Sequence, residues 1–152
     1  MKIASIMTKD VTTIQLGSTY EQAAKAVYDR QVSGMPVVDG QGHVVGVLSE
    51  KDLYRVLFPW YKSFLEDPVE YTDFEAREAK IEEVRRKPIE EFMSRQVFSV
   101  ESDTPIMKAG AIMLAHHIHR LPVIDGGKLV GIVTRSDIYR TIVHDHVISS
   151  MT

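Results

Sequence analysis

Gly46-Val47-Leu48-Ser49-Glu50-Lys51-Asp52 returns as Gly131-Ile132-Val133-Thr134-Arg135-Ser136-Asp137, at an offset of 85 residues (46 to 131). A glycine, two apolar residues, a hydroxyl and an aspartate three positions on read as a strand running straight into a helix. Working outward, Met35-Pro36-Val37-Val38-Asp39 returns as Leu121-Pro122-Val123-Ile124-Asp125, now at an offset of 86 (35 to 121). Met7-Thr8-x-x-Val11-x-Thr13-Ile14 returns as Met93-Ser94-x-x-Val97-x-Ser99-Val100 at the same 86 (7 to 93). The one-residue slip falls where Gly40-Gln41-Gly42-His43 faces the shorter Gly126-Gly127-Lys128. Tight turns absorb deletions cheaply, so the chain is a duplication whose elements keep register.

Each copy spells out the same elements. Val11 to Ile14 is a short extended piece, and Ser18-x-x-Glu21 has the form of a capping box. The helix it opens runs to about Gln31, with Ala23, Ala24 and Val27 on one side. Gly34 breaks that pattern. Met35 to Asp39 reads as a strand that Pro36 places at a sheet edge or a strand start. Val44 to Leu48 is nearly all apolar, which predicts a strand covered on both faces. Ser49 then caps a helix containing Leu53, Val56 and Leu57. In the second copy Pro105 is predicted as the first helical residue, behind Thr104 or Asp103 as cap. The helix to His116 carries Ile106, Ala109, Gly110 and Met113. Asp125-Gly126-Gly127-Lys128 is a hairpin signal, because its glycines supply the positive φ of primed turns. Thr134 caps the last helix, with Ile138, Ile142 and Val143 inward. Each copy is therefore β-α-β-β-α, and at about 55 residues is marginal by itself. The expectation is an α/β (α+β) chain in which both repeats pack with pseudo-two-fold symmetry into one module.

The division predicted is 1–57 for the first repeat, 58–91 for a linker and 92–152 for the second repeat. Pro59-Trp60-Tyr61 ends the preceding helix, with Trp60 as a lid at the linker's start. Asp73-Phe74-Glu75-Ala76 opens a charged helix reaching about Lys87, supported by the i,i+4 pairs Glu82/Arg86 and Glu83/Lys87. Residues 62–91 hold 6 basic and 10 acidic side chains, a net of −4. Two readings stand side by side: a solvated connecting helix, or a surface that docks a partner protein. Phe64, Tyr71 and Phe74 support the second, since a spacer has little use for aromatics.

Composition excludes several functions. The net charge of −3 disfavours a general nucleic-acid binder, which needs Lys and Arg to neutralise phosphates. There is no cysteine, and so no disulfide, thiolate metal site or cysteine nucleophile. No apolar run approaches the roughly 18 residues of a membrane span, and the start of the chain lacks an apolar signal core. A cytoplasmic protein with no membrane contact is expected. His116, His117 and His119 cluster, as do His144 and His146, but no carboxylate has ligand spacing beside the first group, so no metal is assigned. The chain has no nucleophile elbow, glycine-rich phosphate loop or acid pair, and is expected not to be an enzyme.

The chemistry lies in the repeated Gly-h-h-[Ser/Thr]-x-x-Asp. At a helix N-terminus the first amides lack intrahelical partners and the dipole is positive, which stabilises a phosphate. A capping hydroxyl can donate to a phosphate oxygen, and an aspartate one turn on can accept from two adjacent ribose hydroxyls. The same residues also make an ordinary capping box with no ligand. The sequence leaves both open.

Taken together, Ile6-Met7-Thr8, Ser33-Gly34-Met35-Pro36-Val37-Val38-Asp39 and Gly46-Val47-Leu48-Ser49-x-x-Asp52 resemble a cystathionine-β-synthase (CBS) domain. Phe92-Met93-Ser94, His119-Arg120-Leu121-Pro122-Val123-Ile124-Asp125 and Gly131-Ile132-Val133-Thr134-x-x-Asp137 resemble a second. The chain is similar to a tandem CBS pair, or Bateman module, standing alone, over essentially everything except 58–91. The resemblance implies a non-enzymatic regulatory module binding AMP, ADP, ATP or S-adenosylmethionine in clefts between the repeats, and a homodimer. No cofactor is required. It implies that Asp52 and Asp137 hold ribose hydroxyls and that Ser49 and Thr134 meet phosphate. Thr13-Ile14 and Ser99-Val100 would offer backbone to adenine, while Met35-Pro36 and Leu121-Pro122 would wall it. The second site (Ser99, Val100, His119, Arg120, Leu121, Pro122, Thr134, Arg135, Asp137) is favoured for a phosphorylated ligand, because guanidinium groups suit phosphate. In the first site (Thr13, Ile14, Gly34, Met35, Pro36, Ser49, Asp52), Gly34 replaces Arg120 and Glu50 replaces Arg135. The alternative is a ligand-free interaction module that docks an unknown client through the linker.

Overall fold

The structure is a computed structural model, described here for residues 1–67 and 73–152; Tyr71 lies outside the described residues. The first repeat runs Ile14–Gln15 (β1), Tyr20–Arg30 (α1), Gly34–Val38 (β2), Val44–Ser49 (β3) and Glu50–Val56 (α2). Two short helices follow, Tyr61–Phe64 (α3) and Phe74–Ala79 (α4). The second repeat runs Ile106–Ala115 (α5), Arg120–Asp125 (β4), Lys128–Thr134 (β5) and Arg135–Val143 (α6). The chain is α+β. The first sheet has the order β1-β2-β3, with β1 parallel to β2 through Ile14↔Val37 and Gln15↔Val38. The second is the β4/β5 antiparallel hairpin. The counterpart of β1 shrinks there to one parallel bridge, Val100↔Val123. As the sequence predicts, Gly126 and Gly127 turn the hairpin at φ 56° and 80°.

The sequence repeats and the compact units divide the chain differently. One unit is Met1–Val11, Gln41–Val44 and Val97–Thr152; the other is Thr12–Gly40 and Val45–Gln96. The leader of each repeat is thus built into the other repeat's core. Ile3, fully buried, packs with Val100, Ile106, Met113, Leu121, Val133 and Ile138. Its counterpart Ile89, also fully buried, packs with Ile14, Tyr20, Met35, Val37, Leu48 and Leu53. Thr8 exchanges two 2.9 Å backbone bonds with Ile132, and Ser94 exchanges two 2.9 Å bonds with Val47.

These crossings explain the glycine of the repeated motif. A Cβ on Gly46 would come within 2.8 Å of the Ser94 carbonyl oxygen and 3.1 Å of Met93 Sδ. On Gly131 it would meet Met7 Sδ at 2.6 Å and the Thr8 carbonyl oxygen at 3.1 Å. The absent side chain makes room for the incoming leader, the close backbone approach that glycine permits.

Tertiary contacts move several predicted boundaries. Helix α1 is capped by Thr19 with Gln22, not Ser18 with Glu21. The Thr19 hydroxyl accepts from the Gln22 amide at 3.4 Å, and Gln22 Oε1 accepts from the Thr19 amide at 2.9 Å. Ser18 is held outside the helix because its carbonyl accepts from the Ile89 amide at 2.9 Å. Glu21 pairs with Arg85 at 2.9 Å instead. Pro105 is the N-cap of α5 rather than its first residue, with extended backbone (φ −61°, ψ 140°). The arriving leader draws this stretch out straight: Ile3 and Ala4 amides donate to the Thr104 and Ser102 carbonyls at 2.9 and 2.8 Å.

Pro36 stands in the central strand of its sheet, not at an edge. The matched Pro122 gives the reason. Its carbonyl accepts from Val100 at 3.1 Å, and in an extended strand a residue's N and C=O point to the same side. The missing N–H therefore faces the short parallel segment and takes nothing from the β4/β5 ladder. The charged helix predicted to reach Lys87 stops at Ala79 and tightens into a 3-10 turn over Lys80–Val84. Glu82 then pairs with Arg85 at 3.1 Å rather than with Arg86.

Candidate functional site

Each repeat carries its hydroxyl and aspartate on a strand-to-helix corner, and each corner is closed by a reciprocal cap. In the first, the Asp52 amide donates to Ser49 Oγ at 3.2 Å and the Ser49 amide donates to Asp52 Oδ2 at 2.9 Å. In the second, the Asp137 amide donates to Thr134 Oγ1 at 3.1 Å and the Thr134 amide donates to Asp137 Oδ2 at 2.9 Å. The capping-box reading is therefore realised at both corners. The first-residue amides are also used: Glu50 donates to the Ser33 carbonyl and Arg135 to the His119 carbonyl, both at 2.9 Å. The sequence view of a fully open helix terminus is corrected accordingly. Of the first three amides, the second-residue ones, Lys51 and Ser136, have no hydrogen bond among the described residues. Ser33 and His119 went unnoticed as acceptors, although they stand at the same offset of 86 (33 to 119) and could have been matched as a pair.

The caps leave chemistry unused. Only Oδ2 of each aspartate is engaged; Oδ1 of Asp52 and of Asp137 has no hydrogen bond among the described residues, and both residues are half-buried. An uncommitted carboxylate oxygen accepts a ligand hydroxyl without disturbing the helix. The corners differ in their hydroxyls. Ser49 Oγ–H donates to Asp52 Oδ2 at 2.9 Å. Thr134 Oγ1 is engaged as an acceptor from the Asp137 amide, and no donation by it is recorded among the described residues. The first corner has the exposed carboxylate of Glu50 at helix position one, the second the exposed guanidinium of Arg135.

The remaining predicted residues fall into two groups. Met35, Pro36, Leu121 and Pro122 are fully buried, with Met35 and Leu121 in the two cores. Gly34 is buried at the start of β2. Val100 has both backbone groups committed to β4, donating to Pro122 and accepting from Ile124 at 2.9 Å. Ile14 is buried in the β1/β2 pairing, so in each repeat the exposed preceding residue, Thr13 or Ser99, is the one with backbone facing away. Arg120 is half-buried and His119 exposed, and both have partners.

Three of the clustered histidines take part in local structure. His116 stacks on Phe98 with ring centroids 3.9 Å apart, and His117 takes the left-handed conformation after α5 at φ 54°. Gln31 does the same after α1 at φ 53°, ending that helix before Gly34. His144 Nδ1 lies 2.8 Å from Asp145 Oδ1. Among the described residues, no three His, Cys, Asp or Glu side chains are grouped to hold a metal ion. Nor is any helix among them long and apolar enough to cross a membrane.

The sequence pattern of the CBS domain matches twice, over residues 3–59 and 89–144, and the chain belongs to that family. A CBS domain-containing protein of Dictyostelium discoideum is 28% identical over 137 residues, covering 90% of this chain and 87% of its own. Two longer relatives are spanned only in part, over 32% and 24% of their lengths. The CBS domain pair of protein MJ0100, solved with 5′-methylthioadenosine and S-adenosyl-L-methionine, is 26% identical. Its TM-score is 0.72, over 93% of this chain and 95% of its own. CBSX2, solved in complex with AMP, is 25% identical with a TM-score of 0.70, over 94% of this chain and 96% of its own.

Proposed function

We propose that this chain is a non-enzymatic regulatory module that binds an adenosine-containing ligand at its capped corners and signals by a change of shape. The observation that carries the reading is the uncommitted Oδ1 on two half-buried aspartates at matched positions. Each is ready to accept from ribose hydroxyls while its partner oxygen holds the helix. The solved relatives that hold adenosine compounds support the same ligand class. The second corner is the stronger phosphate site. The Thr134 hydroxyl is not spent on its own aspartate, the Ser136 amide remains, and Arg135 brings positive charge where Glu50 brings negative. Signalling requires only that the ligand prefer one conformation over another.

The test is calorimetric titration of the full chain with AMP, ATP and S-adenosylmethionine. Asp137→Asn keeps an acceptor for the Thr134 amide and so keeps the cap, but loses the charge-assisted bond to ribose. It is expected to weaken binding about ten-fold, a loss of roughly 1.4 kcal/mol. Asp52→Asn is expected to do less to a phosphorylated ligand. If none of the three compounds gives heat or shifts the melting temperature, the ligand reading fails, and docking of a client through the 58–91 segment takes its place. We also propose that the chain dimerises through its first helices, where Tyr28 and Leu114 stand 84% and 68% exposed at matched positions. A monomer mass by light scattering at high concentration would overturn this.

A further inference from the structure

Helix α2 has a second working face, used only in the first repeat. Leu53 points into the core, while Lys51, Tyr54, Arg55 and Phe58 follow one another at i, i+3, i+4 and i+7 along another side. The segment after α2 folds back onto that side. Phe58 meets Tyr54 at 4.8 Å and Trp60 at 5.8 Å between ring centroids. Trp60 in turn meets Phe64 at 5.8 Å and Phe74 at 5.9 Å. The Arg77 guanidinium covers the Trp60 ring, 4.8 Å from its centroid. The predicted lid is instead the hub of an aromatic cluster.

This folding leaves a groove of about 630 Å³, walled by the rings of Tyr54, Phe58, Trp60 and Phe74 with Lys51 and Arg55 beside them. Its size is that of a small-molecule site, and such sites are mostly apolar with a few placed polar groups. Among the described residues no acidic side chain lines it, and neither Lys51 nor Arg55 is ion-paired. Two cations without an ion pair among the described residues, beside rings packed tilted and edge-to-face, attract a negative charge and leave ring faces for a flat ligand. In the second repeat Tyr139 and Arg140 keep the matched positions, but Ser136 and Val143 replace Lys51 and Phe58.

We propose that this groove is a binding site for a flat aromatic anion, a small planar ring system carrying a carboxylate, sulfonate or phosphate, separate from the capped corners. The inference does not depend on the adenosine reading. Helix α2 carries the groove along its side and the Ser49–Asp52 cap at its start.

Trp60 is the chain's only tryptophan, so its fluorescence reports on the groove directly. The full chain would be titrated with 8-anilinonaphthalene-1-sulfonate and, separately, with N-phenyl-1-naphthylamine, the same rings without the anion. Energy transfer from Trp60 is the readout. Saturable transfer to the sulfonate is expected, with the neutral compound binding about ten-fold more weakly. Replacing both exposed cations, Lys51→Ala with Arg55→Ala, is expected to erase that ten-fold difference. Asp52→Asn and Asp137→Asn are expected to leave the isotherm unchanged, which separates this site from the adenosine corners. Equal affinity for the two compounds in the unaltered chain overturns the proposal, as does an isotherm moved by either aspartate variant. So does a Trp60 signal that changes with protein concentration or with an acidic peptide but not with the sulfonate, since a second copy or a partner protein would then fill the groove.

Discussion

Helices α2 and α6 are built to one plan and surrounded by different chemistry. Each follows a strand with a glycine at the same place, caps itself with a hydroxyl and an aspartate, and passes its first amide to a carbonyl 17 or 16 residues back (Glu50 to Ser33, Arg135 to His119). What differs lies one residue away. Glu50 stands where Arg135 stands, the Ser49 proton is spent on Asp52, and an aromatic insertion covers α2 where α6 runs on into the C-terminal turns. Duplication has kept the backbone device in both halves and changed the charge and packing beside it. The identity of the capping residues therefore says less about ligands than the charge beside them.

The largest test of this two-fold plan concerns the exchanged leaders. Ile3→Ala and Ile89→Ala each empty a fully buried site, at a cost of about 3 kcal/mol. Amide hydrogen exchange should show Ile3→Ala loosening Ile132, and Ile89→Ala loosening Val47. The reverse pattern would break the exchange. Next come the glycines. Gly46→Ala drives a Cβ into a backbone oxygen and is expected to cost about 2 kcal/mol, while Gly131→Ala mainly displaces the flexible Met7 thioether and should cost nearer 1 kcal/mol. Equal losses in urea titrations would mean that the two crossings do not differ as their geometry says. Ser49→Ala and Thr134→Ala should each remove about 1 kcal/mol by loss of a cap. Ser49→Ala also deprives Asp52 of a second bond, so it should be the more damaging of the two in thermal melts.

The smallest effect is set by pH and is read in the second repeat. Ser102 donates to Asp125 from its hydroxyl at 2.6 Å and from its amide at 2.9 Å, and these bonds, the hydroxyl first, hold the Asp125 carboxyl below its usual range. A carboxyl depressed on folding contributes stability above its unfolded pKa and loses it as acid protonates the folded form. Ser102→Ala should therefore flatten the stability profile below about pH 4 and leave it unchanged near neutrality, apart from a constant offset. A slope identical to that of the unaltered chain would remove Ser102 as the cause.

The sequence made the hairpin, the capped corners and the doubled core legible because each rests on local rules. Asp125-Gly126-Gly127-Lys128 has one good turn, and [Ser/Thr]-x-x-Asp after a strand has one good helix start. Where two local solutions were equally good, the tertiary fold chose. Ser18-x-x-Glu21 and Thr19-x-x-Gln22 satisfy the same pattern one residue apart, and the Ile89 amide decides between them by binding the Ser18 carbonyl. The leaders were illegible for a different reason. An offset of 86 between Met7 and Met93 is the same whichever half each segment joins. The insertion's fold was hidden because its helix period continued on paper past Ala79, while Arg85 turned instead towards Glu21. At the corners, residue types were plain from the start; that one aspartate oxygen is used and the other spare is a matter of angles no spacing reveals.

The crossing of Ile3–Thr8 and Ile89–Ser94 has a consequence for how such a chain can be divided. Either half made by itself would carry a head segment shaped for its sibling and a sheet with one flank bare. Two solitary halves could complete each other only by trading heads between molecules, at a rate set by how often they meet. Fusing them makes that trade a matter within one polypeptide, where the missing piece is always at hand at high effective concentration.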